Sequence, residues 1–157
     1  MVNAHRGFTL VELLITLALI AIVALAAVPY TTAWINTANV QTSAASLEQA
    51  FAKAKALALR NPAGVSVGTP AASVKLVGNN LIVCSGAPGD AGCAVAGGNM
   101  VWLGNVTDGV AIQWGGAGLS SVLFDNSGQA VDGNGNPLAI LDLSVSKGDV
   151  SYDAHLY

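Results

Sequence analysis

The 157-residue sequence predicts an α+β chain: one long N-terminal α-helix, half of it membrane-compatible and half amphipathic, packed on an antiparallel β-sheet head. Three observations carry that expectation. Seventeen of the eighteen glycines lie at Gly64 or later, and none falls between Phe8 and Ala63. Apolar residues run unbroken or at helical spacing before that boundary. Beyond it, short β-branched runs alternate with turn residues.

The bulk composition agrees. Only 10% of the residues are charged, 53% are apolar, and the mean hydropathy is +0.57, all displaced from an ordinary soluble domain. Part of the chain should therefore sit in lipid or in a subunit interface. The net charge of −3 comes with no basic run beyond Lys53 and Lys55, so no surface that tracks nucleic-acid phosphates is visible.

The first element is an apolar stretch from Phe8 to Val28, interrupted only by Thr9, Glu12 and Thr16. About twenty helical residues cross about 30 Å of hydrocarbon, so this stretch is long enough to span a membrane. Tyr30 and Trp34 follow one turn apart, suited to the headgroup level, while Arg6 and His5 flank the other end and favour a cytoplasmic N-terminus. Pro29 is expected to kink the helix and not to end it, because neighbouring helices in a membrane satisfy the freed carbonyl.

Helical patterning then resumes. Val40, Ala44, Leu47, Phe51, Ala54 and Ala58 recur at three- and four-residue steps and align on one face, with Glu48, Lys53, Lys55 and Arg60 mostly off it. Asn61 and Pro62 end the helix. The resulting division is a segment 1–7, a helix over 8–62 with 8–29 in the membrane, and a β-rich head over 63–157.

Strands are expected at Val65–Val67, Val74–Val77, Leu81–Cys84, Met100–Leu103, Val110–Trp114, Val122–Phe124, Leu138–Val145 and Val150–Leu156. Turn residues separate them: Gly78 to Asn80, Asp125 to Gly128, Asp132 to Pro137, and Lys147 to Asp149. Connections this short favour antiparallel meanders over parallel crossovers.

Cys84 and Cys93 lie without a histidine or a second CxxC nearby, so a zinc site lacks ligands. They read either as two buried thiols or as a short disulfide loop. An export signal in the same chain favours the disulfide, which belongs to an oxidising compartment.

That signal lies at Arg6-Gly7-Phe8-Thr9-Leu10-Val11-Glu12-Leu13-Leu14, which resembles the processing and methylation signature of type IV prepilins. The resemblance implies a pilin fold, cleavage between Gly7 and Phe8 by a prepilin peptidase, and N-methylation of Phe8. It further implies an assembly role for Glu12, a single pass through the inner membrane with a periplasmic head, and export into a filament of pilins or pseudopilins. Pro29 also stands where pilins commonly carry proline. Ala24 and Ala26 offer a rival secretory cleavage pattern. A carboxylate at Glu12 argues against it, because it costs several kcal/mol in lipid and serves no transient signal.

Three further stretches resemble the GspH/FimT group: Asn39-Val40-Gln41 with Leu47 and Lys55 to Arg60; Ile82-Val83-Cys84-Ser85 with Cys93; and Leu123-Phe124-Asp125 with Gly128. The implied role is a FimU-like minor pilin that initiates or caps a type IV pilus, with a type II secretion minor pseudopilin second. A DNA receptor at the pilus tip comes third. Receptors of that kind carry an arginine-rich C-terminal motif, whereas Val150 to Tyr157 contains no arginine.

Other patterns read as structural. His155 is the one histidine in the head, so no catalytic triad assembles and no enzyme is expected. Gly115-Gly116-Ala117-Gly118 lacks the lysine of a phosphate loop and reads as a turn. Asp132, Asn134 and Asn136 alternate like calcium ligands, but Pro137 and Leu143 stand where the EF-hand needs glycine and glutamate. No metal ligand and no cofactor is assigned.

Overall fold

The computed structural model of the chain describes residues 7–138 and 141–156. The expectations placed on His5, Arg6, Tyr157 and residues 139–140 lie outside the described residues. The architecture is α+β, with one long helix and antiparallel sheets. Helix α1 covers Leu10–Arg60. The chain divides into two compact units, one ending at Ile35 and the other running from Asn36 to Tyr157.

In the first unit no described residue is buried, and Leu10, Leu13, Leu17, Ile20, Val23 and Val28 all lie exposed. A helix apolar all round fits a membrane span. Three of its threonine hydroxyls are satisfied locally. Thr16 donates to the Leu13 carbonyl at 2.8 Å, Thr31 to that of Ala27 at 3.1 Å, and Thr32 to that of Pro29 at 2.9 Å. Such back-bonding is how polar side chains are tolerated where water is absent. The helix runs on through Pro29.

In the second unit the helical stripe turns inward as its period requires. Val40, Ala44, Leu47, Phe51, Ala54 and Ala58 are all buried, joined by Ser43 and Ala50. The Phe51 and Phe124 rings meet edge to face at 5.6 Å and 77°, and each buried phenylalanine is worth about 2 to 3 kcal/mol. Ser43 Oγ accepts the Thr107 N–H at 3.0 Å, removing the cost of its burial.

Among the described residues nine strands follow: β1 Pro70–Val77, β2 Asn80–Ser85, β3 Met100–Asn105, β4 Ala111–Trp114, β5 Ala117–Gly118, β6 Ser121–Asp125, β7 Ala130–Val131, β8 Leu141–Lys147 and β9 Val150–Leu156. They form two sheets, ordered β3-β2-β1-β6-β7 and β5-β4-β8-β9, with every pairing antiparallel. Hairpins join β1 to β2, β4 to β5 and β8 to β9, as short connections predict, but β1–β6 and β4–β8 pair across long intervals of sequence.

Strand β2 is buried continuously from Leu81 to Cys84, without the alternation of a half-exposed strand. Leu81 and Val83 join the main core with the helix stripe, while Ile82 and Cys84 join a second cluster with Cys93 and Met100. A sheet covered on both faces has no polar side to alternate.

Val65–Val67 is not a strand. The segment lies between Gly64 and Gly68, both at positive φ, and its backbone is held by other partners. Asn61, itself at φ 45°, accepts the Val65 N–H through Oδ1 and donates through Nδ2 to the Val65 carbonyl, both at 2.8 Å. Asn126 adds a bond to the same carbonyl at 3.0 Å. The residues that stop the helix therefore consume the groups a strand would pair. Leu138 and Val110 also lie outside strands; Leu138 N–H reaches the Ala130 carbonyl, and Val110 N–H closes a turn on that of Thr107.

Candidate functional site

The densest sequence signal, Gly7 to Glu12, sits where the helix begins. A β-carbon added at Gly7 meets nothing within 4 Å, and its φ lies outside the left-handed region. Packing among the described residues therefore places no demand for glycine there. Phe8 is 82% exposed, a large apolar ring left open to its surroundings among the described residues.

Thr9 caps the helix. Its Oγ1 accepts the Glu12 N–H at 3.2 Å, and the backbone N–H of Leu13 reaches the Thr9 carbonyl at 3.1 Å. Thr9-Leu10-Val11-Glu12 is thus a capping-box sequence with its first bond formed, and Glu12 also lies in the first turn, where the helix dipole favours a carboxylate. The threonine was missed as a cap, although the T-x-x-E spacing shows it. Residues 2–28 match the family described as the prokaryotic N-terminal methylation motif, the signal of type IV prepilins.

The chain carries a type IV prepilin signal.

Signal, long N-terminal helix and antiparallel sheets together are consistent with a type IV pilin-like protein. The motif suggests processing by a prepilin peptidase, membrane anchoring and assembly with other pilins, which is structural work. It covers the start of the chain, and no curated protein or solved structure matches the sequence.

In the β-rich head, Cys84 and Cys93 form a disulfide, with their Cα atoms 5.6 Å apart. The loop they close is pinned by its own polar groups. Asp90 Oδ2 accepts the Ala87 N–H at 3.0 Å, the Asp90 carbonyl accepts the Cys93 N–H at 2.8 Å, and Lys75 Nζ donates to the Pro88 carbonyl at 3.0 Å. Gly86 takes φ 91°, a backbone conformation that favours glycine, and a β-carbon there would also stand 2.6 Å from Asp90 Oδ2 and displace that carboxylate.

The Asp132 loop spends its carboxylate on its own backbone. Oδ1 accepts the N–H groups of Asn134 and Asn136, both at 2.8 Å, and Oδ2 accepts Asn136 Nδ2 at 3.0 Å. The Asn136 side chain and backbone hold the acid below its ordinary range, helped by the N–H groups of Asn134 and Gly135 against slight burial. This is a self-satisfied turn. Among the described residues no cluster of three His, Cys, Asp or Glu side chains is placed to hold a metal. Gly115 and Gly116, both at positive φ, make the two-residue turn between Trp114 and Ala117. His155 lies on β9 opposite Asp142.

Asp125 is 2% exposed yet charged. Burial pushes its pKa up, but the Ser127 hydroxyl and the N–H groups of Ser127, Gln129 and Gly68 outweigh that and hold it below the ordinary value. Two contacts that sequence reasoning missed tie α1 to the sheets. Tyr152 donates to Glu48 Oε1 at 3.2 Å, and that carboxylate raises the phenol pKa. Lys53 Nζ stands 5.9 Å from the centroid of the Trp102 ring.

Proposed function

We propose that this chain is a minor pilin, a structural and assembly subunit that initiates or caps a type IV pilus. The observation that supports the reading best is a signal without a packing task among the described residues: Gly7 and Phe8 stand exposed, directly ahead of a capped helix whose apolar part up to Ile35 is exposed throughout. On this reading residues 1–7 are a leader, prepilin peptidase cleaves between Gly7 and Phe8, and Phe8 is methylated. Residues 8–29 cross the inner membrane and Pro29 kinks the span. The head from residue 63 is periplasmic, where the Cys84–Cys93 disulfide is stable. Glu12 pairs with the terminal amine of a neighbouring subunit, so that the cost of a carboxylate in lipid drives assembly and marks register.

The test is the terminus and the destination of the mature protein. Mass spectrometry should find N-methylated Phe8 as the first residue, and immunoblots should find the chain in sheared pili. A start at Ala27, or absence from sheared pili in cells that assemble them, defeats the proposal. With a net charge of −3, the chain should not bind DNA at physiological salt.

A further inference from the structure

The sheet edges of the head carry opposite chemistry. Among the described residues β3 ends the five-stranded sheet and β9 ends the four-stranded one. An edge strand presents unpaired backbone N–H and C=O groups, and proteins normally guard it with charge or proline. Strand β3 has neither: it reads Met-Val-Trp-Leu-Gly-Asn, with Val101 59% and Leu103 43% exposed. Beside it, Lys53, Ala56, Leu57, Arg60, Val101 and Trp102 line a groove of about 220 Å³ whose charged members are both cations.

Strand β9 has the complementary character. Asp153 is exposed on the strand itself, and Asp149 is exposed in the turn that precedes it. Asp153 also lines a cleft of about 340 Å³ with Gln113, Leu143, Ser144 and Asp142, whose charged members are both acids. The two edges match in length, six residues in β3 and seven in β9.

We infer that β3 of one copy pairs with β9 of a second copy, the Lys53 and Arg60 side chains meeting Asp153 and Asp149. Like edges do not pair, because β3 on β3 crowds cations and β9 on β9 crowds acids. The contact is therefore heterologous, and each copy keeps one edge open for the next. A six-residue strand buries well under the roughly 1,200 Å² of a stable complex. The pairing is thus weak between free molecules and counts where helices already hold heads at high effective concentration.

The test uses the full chain in detergent micelles, so it does not depend on assembly into a pilus and its failure leaves the minor-pilin reading standing. The described cysteines are both in the disulfide, so one added thiol is unique. Val101→Cys chains with one tag are mixed with Ser151→Cys chains with another and treated with a short bismaleimide. Leu103→Cys serves as a second probe of β3, and resistance of Cys84 and Cys93 to alkylation verifies the fold of each variant. The expected product joins the two tags. It should fall about tenfold with Arg60→Glu on the β3 partner and recover when Asp153→Arg is placed on the β9 partner. No joined product from either probe, Val101→Cys chains linking to themselves as readily, or indifference to both charge reversals overturns the pairing.

Discussion

The Trp102 indole lies across the backbone of Gly104, so closely that a β-carbon there would stand 2.1 Å from Trp102 Cη2. Glycine is thus needed for the ring above it, not for its own backbone. Gly104→Ala should push the indole off the strand, break its contact with Lys53 and destabilise the head by about 1 to 3 kcal/mol. Thermal melts measure the loss. Fluorescence in a background with Trp34 and Trp114 replaced by phenylalanine reports the ring. An unchanged spectrum and melting point would show that the ring is not held there.

Reduction should loosen the head. Closing a loop of about ten residues between Cys84 and Cys93 stabilises by roughly 2 to 3 kcal/mol in the chain-entropy picture. The native protein should resist alkylation until reductant is added, and should then melt lower. Thiol labelling of untreated protein contradicts this.

Acid should remove the contribution of Asp125. Its folded pKa lies below the unfolded one, so its stabilisation is complete above the ordinary value of about 3.9 and disappears as pH falls through the depressed value. Asp125→Asn leaves the Ser127 and Gln129 N–H groups with a weaker acceptor, and should cost about 1 to 3 kcal/mol at neutral pH. The variant's stability should also vary less below pH 4 than that of the parent. Parallel pH profiles for the two proteins would rule out this role.

The Glu12→Leu variant separates assembly from processing. It keeps the Thr9 cap, because that bond is donated by the backbone, and it eases insertion. Cleavage after Gly7 and membrane residence should be normal, while incorporation into sheared filaments should drop. Wild-type incorporation would remove Glu12 from the assembly argument.

The helix stripe was legible because every member from Val40 to Ala58 faces one core, and a period of 3.6 records that directly. Most strands were legible from β-branched runs. The division into two sheets was not, since Val74 meets Val122 and Gln113 meets Ser144 through long-range pairing that no local pattern encodes. The two-residue strands at Ala117 and Ala130 are too short to show a period. Val65–Val67 misled because a β-branched run was read without its neighbour Asn61, whose side chain had already claimed its backbone. At the N-terminus, Gly7 to Glu12 was legible as a signal because no packing role competes for those residues.

That asparagine corner also bears on how the chain can vary. Asn61 ends the helix with its own backbone turn, bonding to the Leu57 and Ala58 carbonyls, and its side chain fixes the exit at Val65. Helix length is thereby set by residues within one turn of the stop, with Asn126, in the turn after β6, adding a bond to Val65. Insertions and deletions beyond Gly68 consequently leave the helical register untouched, so the surface of the head can be remodelled while the exposed apolar stretch of α1 stays in phase.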